Sequence, residues 1–502
     1  MAKRKKPKTT KATERPIQPR DDKSTRGWGI LPAEVRLLIL ETLSNECRGH
    51  LAPYASVCRE WQSVIEKKIF HCIRIRIKSY KNVREMASWL DWKFYKFGKI
   101  AATRRNLIRH IWLDVGLHEY TCRSCQEKES SGVSEINGRS MRKAITYLFT
   151  TMKDWAPAGD LTLEITAHSP SDSKHWFKEL GFGNEDKDSQ PGWHDPKHGW
   201  ADGQQVTPPN GLALSRVYSK LEFRLPWDLP NVHAVTKLVI RRQVRRSLTP
   251  MALEGLTRHL RRLESVVYEP WRDWGIYEQL KWVFSRGLPR TLQTLSLFEV
   301  FDEEHIAPLQ KEARAYNSIS IKRKADPRVC EALVSRNLRR TLSLTHLSVA
   351  FLIDARDFFQ EIEPETWNCL QSLVLTSRVL TQKAHHTKVS SLLCDVSKAA
   401  SSMPQLHTLA LWNAKKGEAC SFVYYKRDRL VAWRGTWDLK DTADIVQAWE
   451  RAVSKHSSPD IRFETVSLNG NLVNSLGDTI PQLGLPPGVI DPLSLRQMQK
   501  ES

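Results

Sequence analysis

Apolar residues along this chain recur in a six-residue figure, apolar-x-x-apolar-x-apolar, whose alternating end has the period of a β-strand. It occurs as Val235-Thr-Lys-Leu238-Val-Ile240, Leu263-Glu-Ser-Val266-Val-Tyr268, Leu292-Gln-Thr-Leu295-Ser-Leu297, Leu344-Thr-His-Leu347-Ser-Val349, Leu370-Gln-Ser-Leu373-Val-Leu375 and Leu406-His-Thr-Leu409-Ala-Leu411, with an earlier candidate at Ile108-Arg-His-Ile111-Trp-Leu113. The six starts lie 28, 29, 52, 26 and 36 residues apart. Four steps approximate one repeat length and the longest is close to two, so a degenerate repeat or an insertion is expected between 298 and 343. Runs with helical spacing precede several hexads, as in Leu253-Glu-Gly-Leu256-Thr-Arg-His-Leu260 and Ser390 through Met403-Pro404. Each unit therefore reads helix, turn, strand, and one such unit buries its apolar face only by stacking on neighbours.

The hexad resembles the strand segment of a leucine-rich repeat, which implies an α/β fold, an irregular leucine-rich-repeat-like solenoid over residues 76–455 with a parallel strand ladder. A doubly wound α/β domain would show the same alternation, but no glycine-rich phosphate loop follows any strand. Side chains alternate along a strand, so the positions between the apolar ones are expected on an open concave surface. This nominates Arg241, Glu269, Trp271, Phe298, His346 and Trp412 as substrate-binding residues, since aromatics and arginine dominate binding hot spots. The dense run Tyr268-Glu-Pro-Trp-Arg-Asp-Trp274 is the expected recognition loop.

Near the N-terminus the period changes. Pro32 suits the first turn of a helix, and Val35, Leu38, Ile39 and Thr42/Leu43 form a stripe at three- and four-residue steps. After Gly49, Leu51, Tyr54, Ala55 and Cys58 predict a second short helix, and Trp61, Val64, Ile65 and Ile69 a third. Leu31-Pro-x-Glu34, the spaced Ile39, Leu43 and Leu51, and the closing Cys58-Arg-Glu-Trp61 resemble the F-box in order and spacing, over residues 28–75. The resemblance implies a partner, the Skp-type adaptor of a cullin complex, contacted by Leu31, Pro32, Val35 and Ile39, and an SCF-type ubiquitin-ligase receptor that recruits an unknown protein substrate. Much of the remaining chain is similar to an uncharacterised family of fungal F-box proteins, on segments such as His194-Asp-Pro-Lys-His-Gly-Trp200, Val239-Ile-Arg-Arg-Gln243, Leu288-Pro-Arg-Thr-Leu292 and Ala432-Trp-Arg434. That similarity implies a fungal source and supplies no substrate.

Charge adds a second reading. The 502 residues carry a formal +21, and the first 26 hold ten Lys/Arg against three Asp/Glu, a local +7. Residues 1–27 are expected to be a disordered basic tail, whose Lys3-Arg-Lys-Lys-Pro-Lys8 has the composition of a nuclear import signal; location is expected to be nuclear, cytoplasmic or both. Arg241-Arg242, Arg245-Arg246 and Arg261-Arg262 raise nucleic acid or an acidic protein as alternative partners, although no known nucleic-acid-binding motif is present, and the arginines at 241–246 would also suit a phosphorylated segment of a ligase substrate. No stretch approaches the apolar length of a membrane helix, so no membrane is expected. The nine cysteines fit reduced thiols better than a disulfide framework.

Cys122-Arg-Ser-Cys125, with His118 just before it, has part of a zinc pattern, and His194 and His198 lie about seventy residues on. A structural zinc needs four ligands, and assembly would require the fold to join two distant loops. The expectation is no metal and no cofactor, with a mobile polar loop over Glu127–Gly138. No nucleophile elbow, Walker sequence or His-Glu-x-x-His helix occurs, so no catalytic residue is nominated. Residues 456–502, ending in the Gly/Pro-rich Leu483-Gly-Leu-Pro-Pro-Gly488, are expected to form an irregular extension.

Overall fold

The computed structural model describes residues 25–47, 50–79, 83–156, 159–178, 194–272, 288–301, 308, 343–360, 367–454 and 461–501. Residues 1–24 of the basic tail, Asp273-Trp274 of the expected recognition loop and most of 298–343 lie outside these residues. The chain divides into two units, Met1–His71 and Cys72–Ser502.

In the first unit Pro32 is extended (φ −52°, ψ 149°) just before the helix Ala33–Glu46, and its carbonyl accepts the Arg36 N–H at 3.1 Å. The helix turns Leu40 and Ser44 inward, and the Ser44 hydroxyl donates to the Leu40 carbonyl at 2.6 Å, which satisfies a polar group that burial would otherwise strand. A 3-10 turn at Ala52–Ser56 and the helix Arg59–His71, with Ile65 buried, complete the unit. Trp28 and Trp61 pack with ring centroids 5.3 Å apart. Glu60 accepts from Trp28 Nε1 at 2.9 Å and Arg36 Nε at 2.8 Å, and these two donors hold its carboxyl below the usual carboxylate range.

The second unit is mixed α/β and built on one large, mostly parallel sheet. Among the described residues its strands are β1 Cys72–Ile77, β2 His110–Gly116, β3 Thr162–His168, β4 Lys237–Ile240, β5 Ser265–Tyr268, β6 Thr294–Phe298, β7 His346–Asp354, β8 Ser372–Thr376, β9 Thr408–Lys415, β10 Glu418–Tyr425, β11 Leu430–Gly435 and β12 Arg462–Ser467. They lie side by side in chain order. Every pairing is parallel except β9–β10 and β10–β11, which form an antiparallel meander.

Equivalent hexad positions pair with one another. Ile73, Ile111, Leu163, Leu238, Val266, Leu295, Leu347, Leu373 and Leu409 form one continuous row across nine strands. A one-residue slip would turn every member of that row to the other face, so burial of the row fixes the register. Each strand starts two residues into its hexad; the leading apolar residue sits in the preceding turn, as where the Leu263 N–H reaches the Leu260 carbonyl at 3.2 Å. Strands β6 and β7 are direct neighbours, so the 52-residue step is an insertion between adjacent strands.

The row packs in one apolar core with residues of the helices Val83–Arg104, Ser131–Met152, Pro250–His259, His386–Ala400 and Thr442–Ser454, among them Phe94, Leu148, Leu256, Leu393 and Trp449. The segment expected as a mobile loop over Glu127–Gly138 instead runs into the helix Ser131–Met152, whose N-terminus is capped by Ser130 accepting the Val133 N–H. Gly138 permits that packing: a Cβ there would stand 2.2 Å from the Glu222 carbonyl oxygen.

The opposite face of the sheet carries a second core, in which Trp271, Phe298, Val374, Ala410 and Trp412 meet Val473, Ile480, Leu483, Val489, Ile490 and Met498. The chain reaches it after β12 through the short helix Leu476–Thr479, the 3-10 turn Ile480–Leu483 and the helix Pro492–Glu501.

Candidate functional site

The residues nominated for adaptor contact lie on the helix Ala33–Glu46 and the turn before it. Leu31 is half-buried, while Pro32, Val35 and Ile39 are exposed. The unit's own core is met by Arg36, Leu40, Leu43 and Ser44, so of the apolar stripe read from periodicity Val35, Leu38 and Ile39 are turned to solvent and Leu43 is not. Leu38 is 63 % exposed and Ile30 80 %, and Leu37 and Val57 are exposed with them. Isolated exposed apolar residues are ordinary; a group on one small unit marks an interaction surface.

The substrate-binding nominees have the expected side of the sheet and a different environment. Phe298 and Trp412 are fully buried, Glu269, Trp271 and Arg241 nearly so. The expectation of an open concave surface is corrected at these five positions, because residues 468–501 of the same chain cover them. Of the six, His346 is exposed. The cover is fixed by polar contacts as well as by the second core. Ser296 Oγ donates to the Gly488 carbonyl at 2.9 Å, Ser421 Oγ to Leu483 at 2.6 Å, and Tyr425 OH to Gly484 at 2.8 Å. Hydroxyls on the sheet thus satisfy carbonyls of an irregular segment that lacks regular partners.

Glu269 accepts the Asp491 N–H at 2.7 Å and the Arg242 N–H at 3.1 Å, and also the Ser494 hydroxyl. Burial dominates these donors and pushes its carboxyl up to about 7. Arg241 pairs with Glu164 and, at 2.8 Å, with Asp491. Arg242 and Arg245 reach Glu501 at 2.7 and 3.7 Å and lie over the Trp271 indole, 5.1 and 4.9 Å from a ring centroid. Arg246 meets Glu129 at 2.6 Å, with both side chains buried. Of the arginines read as a basic docking patch, Arg241, Arg242, Arg245 and Arg246 are paired with acidic groups inside the fold, and Arg261 and Arg262 are not among them. The sequence signal that could have warned of this is the apolar spacing of 480–498, which has the composition of a packed segment.

A third grouping was discounted in the sequence. The loop after β2 carries Cys122 and Cys125, the loop after β3 carries His175, and His198 closes a 3-10 turn at Pro196–His198. Their ligating atoms all lie within 4.8 Å of one another, and Cys122 Sγ is 3.3 Å from His198 Nε2. His198 Nδ1 lies 2.7 Å from Asp195 Oδ2, an oxygen that Lys178 Nζ approaches at 2.8 Å. Gly199, at φ +70°, lets the turn close, since a Cβ there would sit 2.0 Å from the Thr207 carbonyl oxygen. The fold joins the two distant loops, using His175 and His198; His118 and His194 are not members. His175 follows no recognisable spacing from the cysteines, which is why the sequence did not disclose it.

Residues 287–491 match a family of unknown function, DUF6546. That span runs from β6 through β12 and takes in most of the covering segment; the N-terminal helical unit and β1–β5 lie outside it. No curated protein matches the chain.

Proposed function

We propose that the chain is the substrate-recognition subunit of an SCF-type cullin ubiquitin ligase, its N-terminal unit an F-box that docks on a Skp-type adaptor. The sheet unit, an irregular leucine-rich-repeat-like solenoid in this reading, holds a protein substrate. The observation that carries the docking half is the orientation of the helix Ala33–Glu46: its inward face is Leu40 and Ser44, while Val35, Leu37, Leu38 and Ile39 face solvent. A helix gains little by presenting four apolar side chains to water, and covering them with a partner recovers that free energy. The solenoid half is supported by sequential strand order and by pairing of equivalent hexad positions, which stacked units require. Recruitment would act by proximity, raising the effective concentration of substrate lysines near the charged ubiquitin carrier.

Substrate contact belongs to surfaces that residues 468–501 leave open, because Arg241, Glu269, Trp271, Phe298 and Trp412 are engaged by that segment. The alternative, a basic scaffold for nucleic acid or an acidic protein, loses Arg241, Arg242, Arg245 and Arg246 to internal ion pairs and retains the N-terminal tail and the Arg261-Arg262 pair. The deciding experiment is capture of a purified Skp-type adaptor by the full-length chain, beside a Leu31→Ala/Pro32→Ala double variant. Binding that the variant loses supports the receptor reading; a wild-type chain that captures no adaptor refutes it.

A further inference from the structure

Four side chains able to ligate a metal, from the segments after β2 and β3, converge with their ligating atoms within 4.8 Å of one another, and we propose that Cys122, Cys125, His175 and His198 form a structural zinc site. A tetrahedral zinc with bonds of about 2.3 Å to sulfur and about 2.0–2.1 Å to nitrogen sets its ligand atoms roughly 3.3–3.8 Å apart. Here one edge already measures 3.3 Å and no pair exceeds 4.8 Å, so the cluster closes on an ion through a contraction of roughly 1 Å at its longest edge. Cys125 and His198 are buried, and Cys122 and His175 half-buried.

Two further observations point to a cation at the centre. His198 uses Nδ1 on the Asp195 carboxylate, which fixes the ring and leaves Nε2 facing Cys122; metal-bound histidines are commonly oriented by such a carboxylate. His175 stacks on the Tyr120 ring, 5.4 Å between centroids, and its ring centroid lies 4.9 Å from that of His198, so both imidazoles are held beside the cysteine loop. The chemistry selects the ion: two thiolates cancel the charge of a divalent cation, and an S2N2 tetrahedron suits zinc. Four protein ligands leave no open position, so the ion holds structure and offers no site for a substrate.

The local architecture explains the need. Among the described residues the loops share a small apolar cluster around Trp176, Phe177 and Leu214, and the adjoining hairpin has two-residue strands, Trp200–Ala201 and Gln204–Gln205. On the far side Arg216 fixes the cysteine loop by donating to the carbonyls of Ser124, Glu127 and Lys128. A metal would tie these segments together at one point.

The test uses the full-length chain, produced with zinc in the medium and purified without chelator, with metal measured by inductively coupled plasma mass spectrometry. About one zinc per chain is expected to survive dialysis. Cys122→Ser, Cys125→Ser and His198→Ala should lose it, and His194→Ala, an exposed histidine of the same loop, should keep it. Asp195→Asn should weaken zinc about 10- to 100-fold in competition with a chromophoric chelator. Should the cysteine variants fail to fold, cobalt exchanged into the wild-type chain must show sulfur-to-cobalt charge transfer and tetrahedral d–d bands. A folded chain that takes up neither zinc nor cobalt overturns the site, as does a Cys122–Cys125 disulfide in the protein purified without reductant, or full zinc content in a Cys122→Ser/Cys125→Ser double variant.

Discussion

Two leucines two residues apart on the helix Ala33–Glu46 should respond oppositely to truncation if one face is the unit's core and the other a docking surface. Leu40 is 0 % exposed and Leu38 63 %. Leu40→Ala removes buried methyl groups and leaves a cavity, at a cost of about 2–5 kcal/mol to the unit. Leu38→Ala removes atoms already in water and should change stability by no more than about 0.5 kcal/mol. Its cost should appear on binding. Full burial of a leucine is worth about 1.5–3 kcal/mol, and the two-thirds that a partner can still cover corresponds to roughly 1–2 kcal/mol. Adaptor affinity should fall about 5- to 30-fold. Hydrogen exchange of amides in Ala33–Glu46 reads the stability of this unit separately from the sheet unit, and biolayer interferometry with the Skp-type adaptor reads the affinity. Loss of protection in Leu38→Ala as large as in Leu40→Ala, or an adaptor affinity indifferent to Leu38→Ala, would refute the assignment of faces.

Glu269 should make stability fall as pH rises from about 4.5 to 7. Its folded carboxyl is pushed up to about 7, above the unperturbed 4.5, so between those values the folded chain holds a proton that the unfolded chain has lost, and the gap is worth on the order of 3 kcal/mol. Glu269→Gln keeps an acceptor for Asp491 N–H and removes the proton, so its urea-unfolding stability should be flatter with pH than wild type over that window; parallel curves would argue against the assignment. Arg246→Ala strands the buried Glu129 carboxylate and should cost about 3–5 kcal/mol, whereas Arg258→Ala, which breaks an exposed pair with Glu254, should cost under about 0.5 kcal/mol. Equal losses in the two variants, measured by thermal unfolding, would contradict the distinction.

The sequence by itself determined the local elements and their repeat. Six hexads became strands because alternation of Leu, Val and Ile suits a pleated surface whatever lies beyond it, and the helix before β5 was legible in Leu253, Leu256 and Leu260. Strands β1 and β3 were missed as repeats although Ile73-Arg-Ile-Arg-Ile77 and Leu163-Glu-Ile165 alternate: β3 has Asp160 where the hexad's leading apolar residue would stand, and β1 has that residue in Phe70, within the helix Arg59–His71 instead of a turn. Tertiary structure alone decided which faces are free. Periodicity gives a stripe its direction on a helix and cannot say whether chain or partner covers it, so Val35, Leu38 and Ile39 read the same whether packed or exposed. The same limit applied to Phe298 and Trp412, whose cover comes from residues 468–501, distant in sequence and irregular in pattern. The arginines at 241–246 showed charge without showing Glu129, Glu164, Asp491 and Glu501, and Cys122 and Cys125 showed half a ligand set without His175 and His198. Long-range contacts carry no period along the chain, and every one of these assignments depended on a contact of that kind.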